Sequence, residues 1–219
     1  MRLDALTAPA SGSATLPLGV LGALTLLSLL PLMLVTCTSF IRIVVVLSLV
    51  RSAIGASALP PNAVLTGLAL ALTFVIMAPT ARRIVHEAVT PYSRGELTPA
   101  QALSRGLTPL RAFMLRQVRS ADLALFERIA RRRPEAAAAA PLEVLVPAFV
   151  VGELRSAFAI GFALYLPFVA IDLAVAAMLM GLGMMMLSPP VVSLPVKLLL
   201  FVMVDGWAML CGGVAGSFK

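Results

Sequence analysis

Residues 149–190 read FVVGELRSAFAIGFALYLPFVAIDLAVAAMLMGLGMMMLSPP, and this stretch decides the fold of the second half of the chain. It is almost entirely apolar until the final Ser-Pro-Pro, and the chain is apolar again after it. A long apolar run without alternation indicates helix, and paired prolines mark a turn. We therefore predict that residues 147–219 form a hydrophobic helical hairpin, with a methionine-rich loop at residues 180–190.

The composition of the whole chain is that of a membrane protein. Of its 219 residues, 60% are hydrophobic and 12% are charged. Soluble domains are typically ~45–50% apolar and ~25% charged. No segment shows the alternation expected of membrane-spanning strands. These features predict an all-α protein of the integral-membrane type.

Residues 16–81 predict a first hydrophobic helical hairpin, and residues 1–15 before it predict a flexible N-terminus. The apolar run from 16 to 50 has 35 residues, which as one helix would measure about 52 Å. A hydrocarbon core of ~30 Å needs only ~20 residues. Either this helix breaks near Pro31 or it extends well beyond a bilayer. Residues 63–81 follow, and they are long enough to span a bilayer without a charge.

The segment at residues 82–146 differs from both hairpins because it is polar and rich in arginine. It holds 11 of the 17 lysine and arginine residues. Thr98 followed by Pro99 predicts a helix start, and the run RRRPEAAAAAP at 131–141 predicts a loop. We predict a small extramembrane insertion with two helices. Its six acidic residues, and the absence of zinc spacing or interleaved aromatics, argue against a nucleic-acid partner.

The sequence contains no pattern that predicts an enzyme. It lacks a serine with a neighbouring base, a His-Glu-x-x-His motif and a phosphate-binding loop. The single histidine, His86, has no companion ligand. Cys37 and Cys211 lie in apolar runs without metal-ligand spacing, so we interpret them as inert thiols. No cofactor or metal is predicted.

Of the charged residues within or beside the apolar segments, we single out five as candidates for pairing. A charge at the bilayer centre costs at least ~2.5 kcal/mol, so such residues usually pair, face a protein interior or line a water path. The alternative is that some lie at helix ends and reach the interface. Lys197 and Asp205 are eight residues apart, which on a helix is about two turns and allows only a loose contact. We therefore expect each to meet a partner on another helix or another chain. The five residues are Arg42, Glu153, Asp172, Lys197 and Asp205.

Long ordered blocks of the sequence closely resemble the FliP/SctR family of export-gate proteins, which belong to the type III secretion systems of flagella and injectisomes. The resemblance runs from about residue 25 to the C-terminus. Its blocks are TSFIRIVVVLSLVRSAIG at 38–55, PPNAVLTGLALALTFVIMAP at 60–79, PLRAFMLRQ at 109–117, the stretch at 149–190 quoted above, and SLPVKLLLFVMVDGW at 193–207.

The resemblance implies a core subunit of a protein-export channel. Members assemble as a homo-oligomer, a pentamer, with FliQ/SctS-like and FliR/SctT-like subunits and an FlhB/SctU-like switch protein, and unfolded secreted proteins are the substrates. The assembled gate belongs to the bacterial inner membrane and extends to the periplasmic side, with the insertion in the periplasm. A basic segment would otherwise be placed in the cytoplasm, but that rule weakens beyond ~60 residues, and the insertion has 65.

The methionine-rich loop can be interpreted from this resemblance together with helix geometry and side-chain chemistry. Successive side chains on a helix point about 100° apart, so three adjacent methionines cannot face one pore from a straight helix. The expected loop hinges are Gly181, Gly183, Pro189 and Pro190. Around a ring, flexible thioethers would form a deformable seal that excludes ions by dewetting. The alternative is that they fill a core. The three are Met184, Met185 and Met186.

The resemblance also associates Phe113, Phe126 and Glu153 with subunit assembly. If residues 108–130 form one helix, the two phenylalanines lie on opposite edges of an apolar stripe, where they would contact a neighbouring subunit. The alternative is that both are core residues on a wide stripe. The stripe comprises Leu110, Met114, Val118, Ala121, Leu125 and Ile129.

Two other functions compete with a channel subunit. The first is a structural assembly scaffold of the export apparatus whose pore is lined mainly by its partners. The second is a small-solute transporter, which predicts inverted repeats that the two hairpins do not show. The sequence leaves open whether the machine is a flagellum or an injectisome.

Overall fold

The computed structural model describes residues 24–25, 28–29, 31–55, 60–132, 139–184 and 186–218. Within these residues the chain is helical and contains no strand, so the all-α prediction is confirmed. The predicted N-terminal segment 1–15 and Met185 lie outside them. The helices are α1 (Pro31–Cys37), α2 (Phe40–Ile54), α3 (Asn62–Ile84), a π-helical turn (Val85–Val89), α4 (Thr90–Ser93), α5 (Pro99–Gln117), α6 (Ser120–Ile129), α7 (Leu142–Gly181), α8 (Pro189–Met203) and α9 (Gly206–Gly216).

Two of the described helical segments are long and apolar enough to cross a membrane. One runs from Asn62 through the π-helical turn to Ser93, and the other is α7. Two bent pairs also qualify if each pair is one span: α1 with α2, bent by 75°, and α8 with α9, bent by 65°. These spans confirm the integral-membrane type of the fold.

The break in the first apolar run lies at Thr38 and Ser39, seven residues after Pro31. The Thr38 hydroxyl donates to the carbonyl of Leu34. It also accepts the backbone N–H of Phe40 at 3.3 Å. A side chain that takes backbone partners in this way competes with the helical hydrogen bonds. The bend therefore lies where the Thr38 hydroxyl takes backbone partners, and not at Pro31.

The largest element, α7, has 40 residues and a length of about 60 Å. It begins at Leu142, so one helix joins the predicted insertion to the predicted second hairpin. Against it packs α2, and the two helices approach closely at Gly161, where an added Cβ would lie 2.4 Å from Leu49 Cδ1. Around this contact is the main core, which also includes residues of α3, α8 and α9.

A second core lies beneath the insertion and joins α5 and α6 to the first turns of α7. Here Thr98 caps α5, because its hydroxyl accepts the N–H of Gln101 while the Gln101 side chain accepts the N–H of Thr98. Residues 108–130 do not form one helix, since Val118 and Arg119 are extended and separate α5 from α6.

The expected apolar stripe is divided by this break. Its α5 part includes the buried Met114, but in α6 Leu125 and Ile129 are 38% and 65% exposed. The side chains that α6 buries include two acids, Asp122 and Glu127. A single helix would have kept the stripe on one face, whereas two extended residues change the direction and rotation of the chain.

Candidate functional site: the methionine loop and the buried ion pairs

The methionine loop is the seven-residue connection Leu182–Ser188 between α7 and α8. At the end of α7, Met184 N–H donates to the Leu179 carbonyl at 2.9 Å and Gly183 N–H to the Met180 carbonyl at 3.1 Å. This bond pair is a Schellman motif, which needs a left-handed residue after the helix. Gly183 supplies it with φ of 74°.

The other three predicted hinge residues belong to the flanking helices. Gly181 is the last residue of α7, and Pro189 and Pro190 are the first two of α8. Proline suits the first helical positions because an N–H there would have no partner within the helix, so its absence costs nothing. The prolines therefore begin a helix, and Gly183 alone of the four lies within the seven-residue connection.

The described methionine side chains of this loop point away from the protomer core. Met184 is 44% exposed and Met186 is fully exposed. Leu182 and Leu187 beside them are also exposed. Met184 and Met186 therefore do not fill the core of their own chain, which was the alternative interpretation of the run. They form an apolar tip at the end of the longest helix.

The guanidinium of Arg42 is held inside the protomer by Glu153. Arg42 Nε donates to Glu153 Oε2 at 2.8 Å and Nη2 to Oε1 at 2.6 Å. Both side chains are almost completely buried. Arg42 also donates to the carbonyl and hydroxyl oxygens of Ser217, and its guanidinium lies 3.9 Å from the ring centre of Phe218. A paired geometry of this kind is required of a buried charge.

A second ion pair joins Asp172 of α7 to Lys197 of α8. The Lys197 ammonium donates to Asp172 Oδ2 at 2.6 Å and to the Ala53 carbonyl at 3.1 Å. The Ser193 hydroxyl donates to the other carboxylate oxygen of Asp172 at 2.5 Å. Lys197 is thus paired with Asp172 on the neighbouring helix of the same chain. Sequence reasoning expected such partners without being able to name them.

A third ion pair was not anticipated from the sequence. Arg155 Nη2 lies 2.9 Å from Asp122 Oδ1, and Asp122 is buried. This contact ties α6 of the insertion to α7. The sequence carries one signal for this pair, which is that Glu153 and Arg155 stand two residues apart. On a helix their side chains point about 200° apart and therefore meet different neighbours.

The two phenylalanines lie against the second core. Phe113 is 3% exposed, and its ring centre is 5.9 Å from that of Phe149 and 6.4 Å from that of Phe218. Phe126 is partly buried against the same core. Phe113 therefore contacts its own protomer, which is the geometry of the core alternative left open by the sequence.

Asp205 differs from the other charges in the apolar segments. It lies at the bend between α8 and α9 with φ of 48° and ψ of 53°, the left-handed conformation, and it is exposed. No salt bridge joins it to any residue in the described ranges. Those ranges also contain no group of three histidine, cysteine or acidic residues arranged to hold a metal ion.

Residues 23–214 match the FliP family over most of the chain. This chain belongs to the FliP family. It is 51% identical over 210 residues to the flagellar biosynthetic protein FliP of Pectobacterium carotovorum subsp. carotovorum, an alignment that covers 94% of this chain and 80% of the relative. With FliP of Bacillus subtilis (strain 168) it shares 46% identity over 211 residues, covering 96% and 95%.

A third relative, FliP of Caulobacter vibrioides, is 47% identical over 201 residues, covering 91% of this chain and 76% of the relative. The predicted family is therefore confirmed. Together with the membrane-span candidates, FliP membership makes the chain a membrane component of the flagellar export apparatus.

Proposed function

We propose that this FliP-family chain is a core subunit of the flagellar export gate, which carries unfolded proteins across the bacterial inner membrane. The surface of α7 supports this proposal. Only 17% of its most apolar 18-residue stretch is buried within the protomer. The ionic side chains of α7, at positions 143, 153, 155 and 172, all pair within the chain, so the rest of its surface is largely apolar and suited to lipid or other subunits.

The proposed assembly is a pentamer of this chain with FliQ/SctS-like and FliR/SctT-like subunits and an FlhB/SctU-like switch protein. We place the gate toward the periplasm, with the insertion at residues 82–146 on that side. The family resemblance supports this arrangement. The length of α7 also fits, because a helix of about 60 Å exceeds the ~30 Å hydrocarbon core and is better accommodated within a protein assembly.

The loop Leu182–Ser188 is the proposed seal of the channel. The single observation that carries this role is the outward position of Met184 and Met186 at the tip of α7. Copies of this tip around a ring would bring unbranched, flexible thioethers together at one constriction. Such side chains adapt to irregular partners, and an apolar constriction excludes ions by dewetting.

The competing function is an assembly scaffold whose pore is lined by other subunits. An exposed apolar loop also fits a subunit contact, so the exposure of Met184 and Met186 is compatible with it. The two functions differ in what the loop does once the complex has formed. A seal controls ion leakage, whereas a contact controls only the amount of complex.

The test replaces Met184, Met185 and Met186 with alanine. A matched control replaces two exposed methionines of α7, Met178 and Met180, which lie outside both the loop and the bend at Asp205. The measurements are membrane conductance at rest and the amount of assembled complex. We expect the loop variant to leak ions at a normal amount of complex, and the control to remain tight. A tight loop variant with normal complex would exclude this loop as the barrier.

A further inference from the structure

We propose that the surface around Asp205 is a docking site for an apolar helix of another subunit, and that a lysine or arginine of that helix pairs with the Asp205 carboxylate. The docking surface consists of Asp205 and the exposed side chains beside it at the bend between α8 and α9. The inference rests on the proposed function in one respect, which is that the chain works within a complex of several subunits.

The unpaired charge of Asp205 points to a basic partner. Glu153, Asp172 and Asp122 all lie on or against the apolar helices, and each has a basic partner within 3 Å in the same chain. Asp205 stands in an equally apolar segment, but no hydrogen bond or salt bridge of its side chain is made with the described part of the chain. The pattern of this protein is to pair such carboxylates, so a cation from outside these ranges is expected.

The chemistry of the surrounding surface favours an apolar partner. The side chains beside Asp205 are large, apolar and exposed: Val202, Met203, Val204, Trp207 and Met209. A carboxylate among them is unfavourable in lipid, and a water-filled path would favour polar neighbours. A partner helix that is apolar and carries one basic side chain satisfies both the apolar surface and the charge.

The backbone at the bend fixes the direction in which the Asp205 side chain leaves the chain. Asp205 adopts the left-handed conformation, which aspartate tolerates better than most residues. The next residue must be small, because a Cβ on Gly206 would lie 2.3 Å from the Phe201 ring. That ring packs edge-to-face against Trp207, with centres 5.2 Å apart. The neighbours of Asp205 therefore fix its position before a partner binds, and this preorganisation favours binding.

The experiment separates the charge of Asp205 from its backbone conformation. Asp205→Asn removes the charge and keeps a residue that tolerates positive φ, whereas Asp205→Gly removes the charge and eases the backbone. Glu96→Gln is the control, because Glu96 is an exposed carboxylate in the insertion. Each variant of the full chain is expressed in cells of a flagellated species from which the native copy has been deleted. The measurement is the fraction of the chain in the high-mass complex of solubilised membranes, normalised to total chain.

We expect both Asp205 variants to lower that fraction about tenfold or more, since removing one member of an interface charge pair leaves the other unpaired. Glu96→Gln should leave the fraction unchanged. Normal complex in Asp205→Asn would overturn the proposal, and so would a loss in Asp205→Asn that Asp205→Gly repairs, because the backbone would then be the cause.

The basic residues of this chain outside the described ranges provide the remaining test. They are Arg2, Arg133 and Lys219, and all three are replaced by glutamine in one variant. If the cation belongs to another subunit, this variant keeps its complex. A loss equal to that of Asp205→Asn, with no further loss when the changes are combined, would overturn the proposal by placing the cation within the chain. Because this experiment measures the amount of complex and not the leakage of ions, a negative result for Asp205 is distinct from a failure of the proposed seal.

Discussion

At the scale of the residue, Arg42 connects more of the molecule than any sequence pattern indicated. From α2 it reaches Glu153 of α7, Ser217 after α9 and the Phe218 ring, and it donates to Gln117 of α5 at 3.4 Å. The sequence marks Arg42 as a charge in an apolar run. It does not reveal the partner, because Glu153 is 111 residues away and only the packing of α2 on α7 brings the two together.

Replacing Glu153 with alanine should therefore weaken the fold of the protomer itself. The change leaves the buried Arg42 guanidinium without its carboxylate, a loss of about 3–5 kcal/mol. We expect a lower apparent melting temperature for the solubilised chain and less folded protein. Glu143→Ala on the same helix is the control, since Glu143 is 60% exposed and its loss should change stability little.

A double variant, Arg42→Met with Glu153→Leu, tests whether the unpaired charge is the cause. It removes both ions and keeps apolar volume, so it should be more stable than Glu153→Ala alone. Equal melting temperatures for Glu153→Ala and the unchanged chain, with less complex, would instead place the role of Glu153 in assembly.

At the scale of the element, the position of α2 on α7 depends on a glycine. Gly161→Ala would bring a Cβ to 2.4 Å from Leu49 Cδ1 and 3.1 Å from Leu49 Cβ, and overpacking of this kind costs about 1–3 kcal/mol. Gly67→Ala on α3 meets no atom within 4 Å and should stabilise its helix by up to about 1 kcal/mol. Melting temperatures should shift in opposite directions, and a common direction would contradict this packing.

How far the sequence predicts an element depends on what determines it. Helix type and apolarity follow from composition and periodicity, and both were predicted. The start of α5 follows from the local capping chemistry of Thr98 and Pro99, and it too was predicted. The separation of α5 from α6 was not, because Val118 and Arg119 carry no turn signal and their extended conformation is set by the packing of two helices on α7.

The methionine loop permits a second prediction at this scale. Replacing Met184, Met185 and Met186 with valine keeps the loop apolar but makes each side chain stiff at χ1. We expect the resting membrane to stay tight to ions while the export of protein falls, because a seal of stiff side chains cannot adapt to a passing chain. Export and conductance are measured together at equal amounts of complex. Full export by the valine variant would show that flexibility is not required.

At the scale of the whole molecule, the protomer pairs Arg42, Glu153, Asp172 and Lys197 internally, leaves Asp205 without a partner among the described residues, and leaves much of its apolar helices uncovered. The reason to expect partners is therefore different from the one that the sequence suggested. Arg42, Asp172 and Lys197 have partners within the chain, so unpaired charges do not require other subunits at those positions. What requires covering is apolar surface, because the two long spans bury only 28% and 17% of their most apolar 18-residue stretches.

This surface predicts that the chain purified from flagellated cells occurs in a homo-oligomer or with other apolar helical subunits. Lipid covers a single apolar helix well, but α7 is about twice as long as a ~30 Å core requires, so part of it needs protein contacts. Native mass spectrometry of gently solubilised membranes measures the state directly. Exposed apolar positions on α7 such as Phe162 and Leu173 should become protected from labelling in the complex, when each is changed to cysteine. A stable monomer that supports full export, with both positions labelled equally in membranes and in detergent, would contradict the prediction.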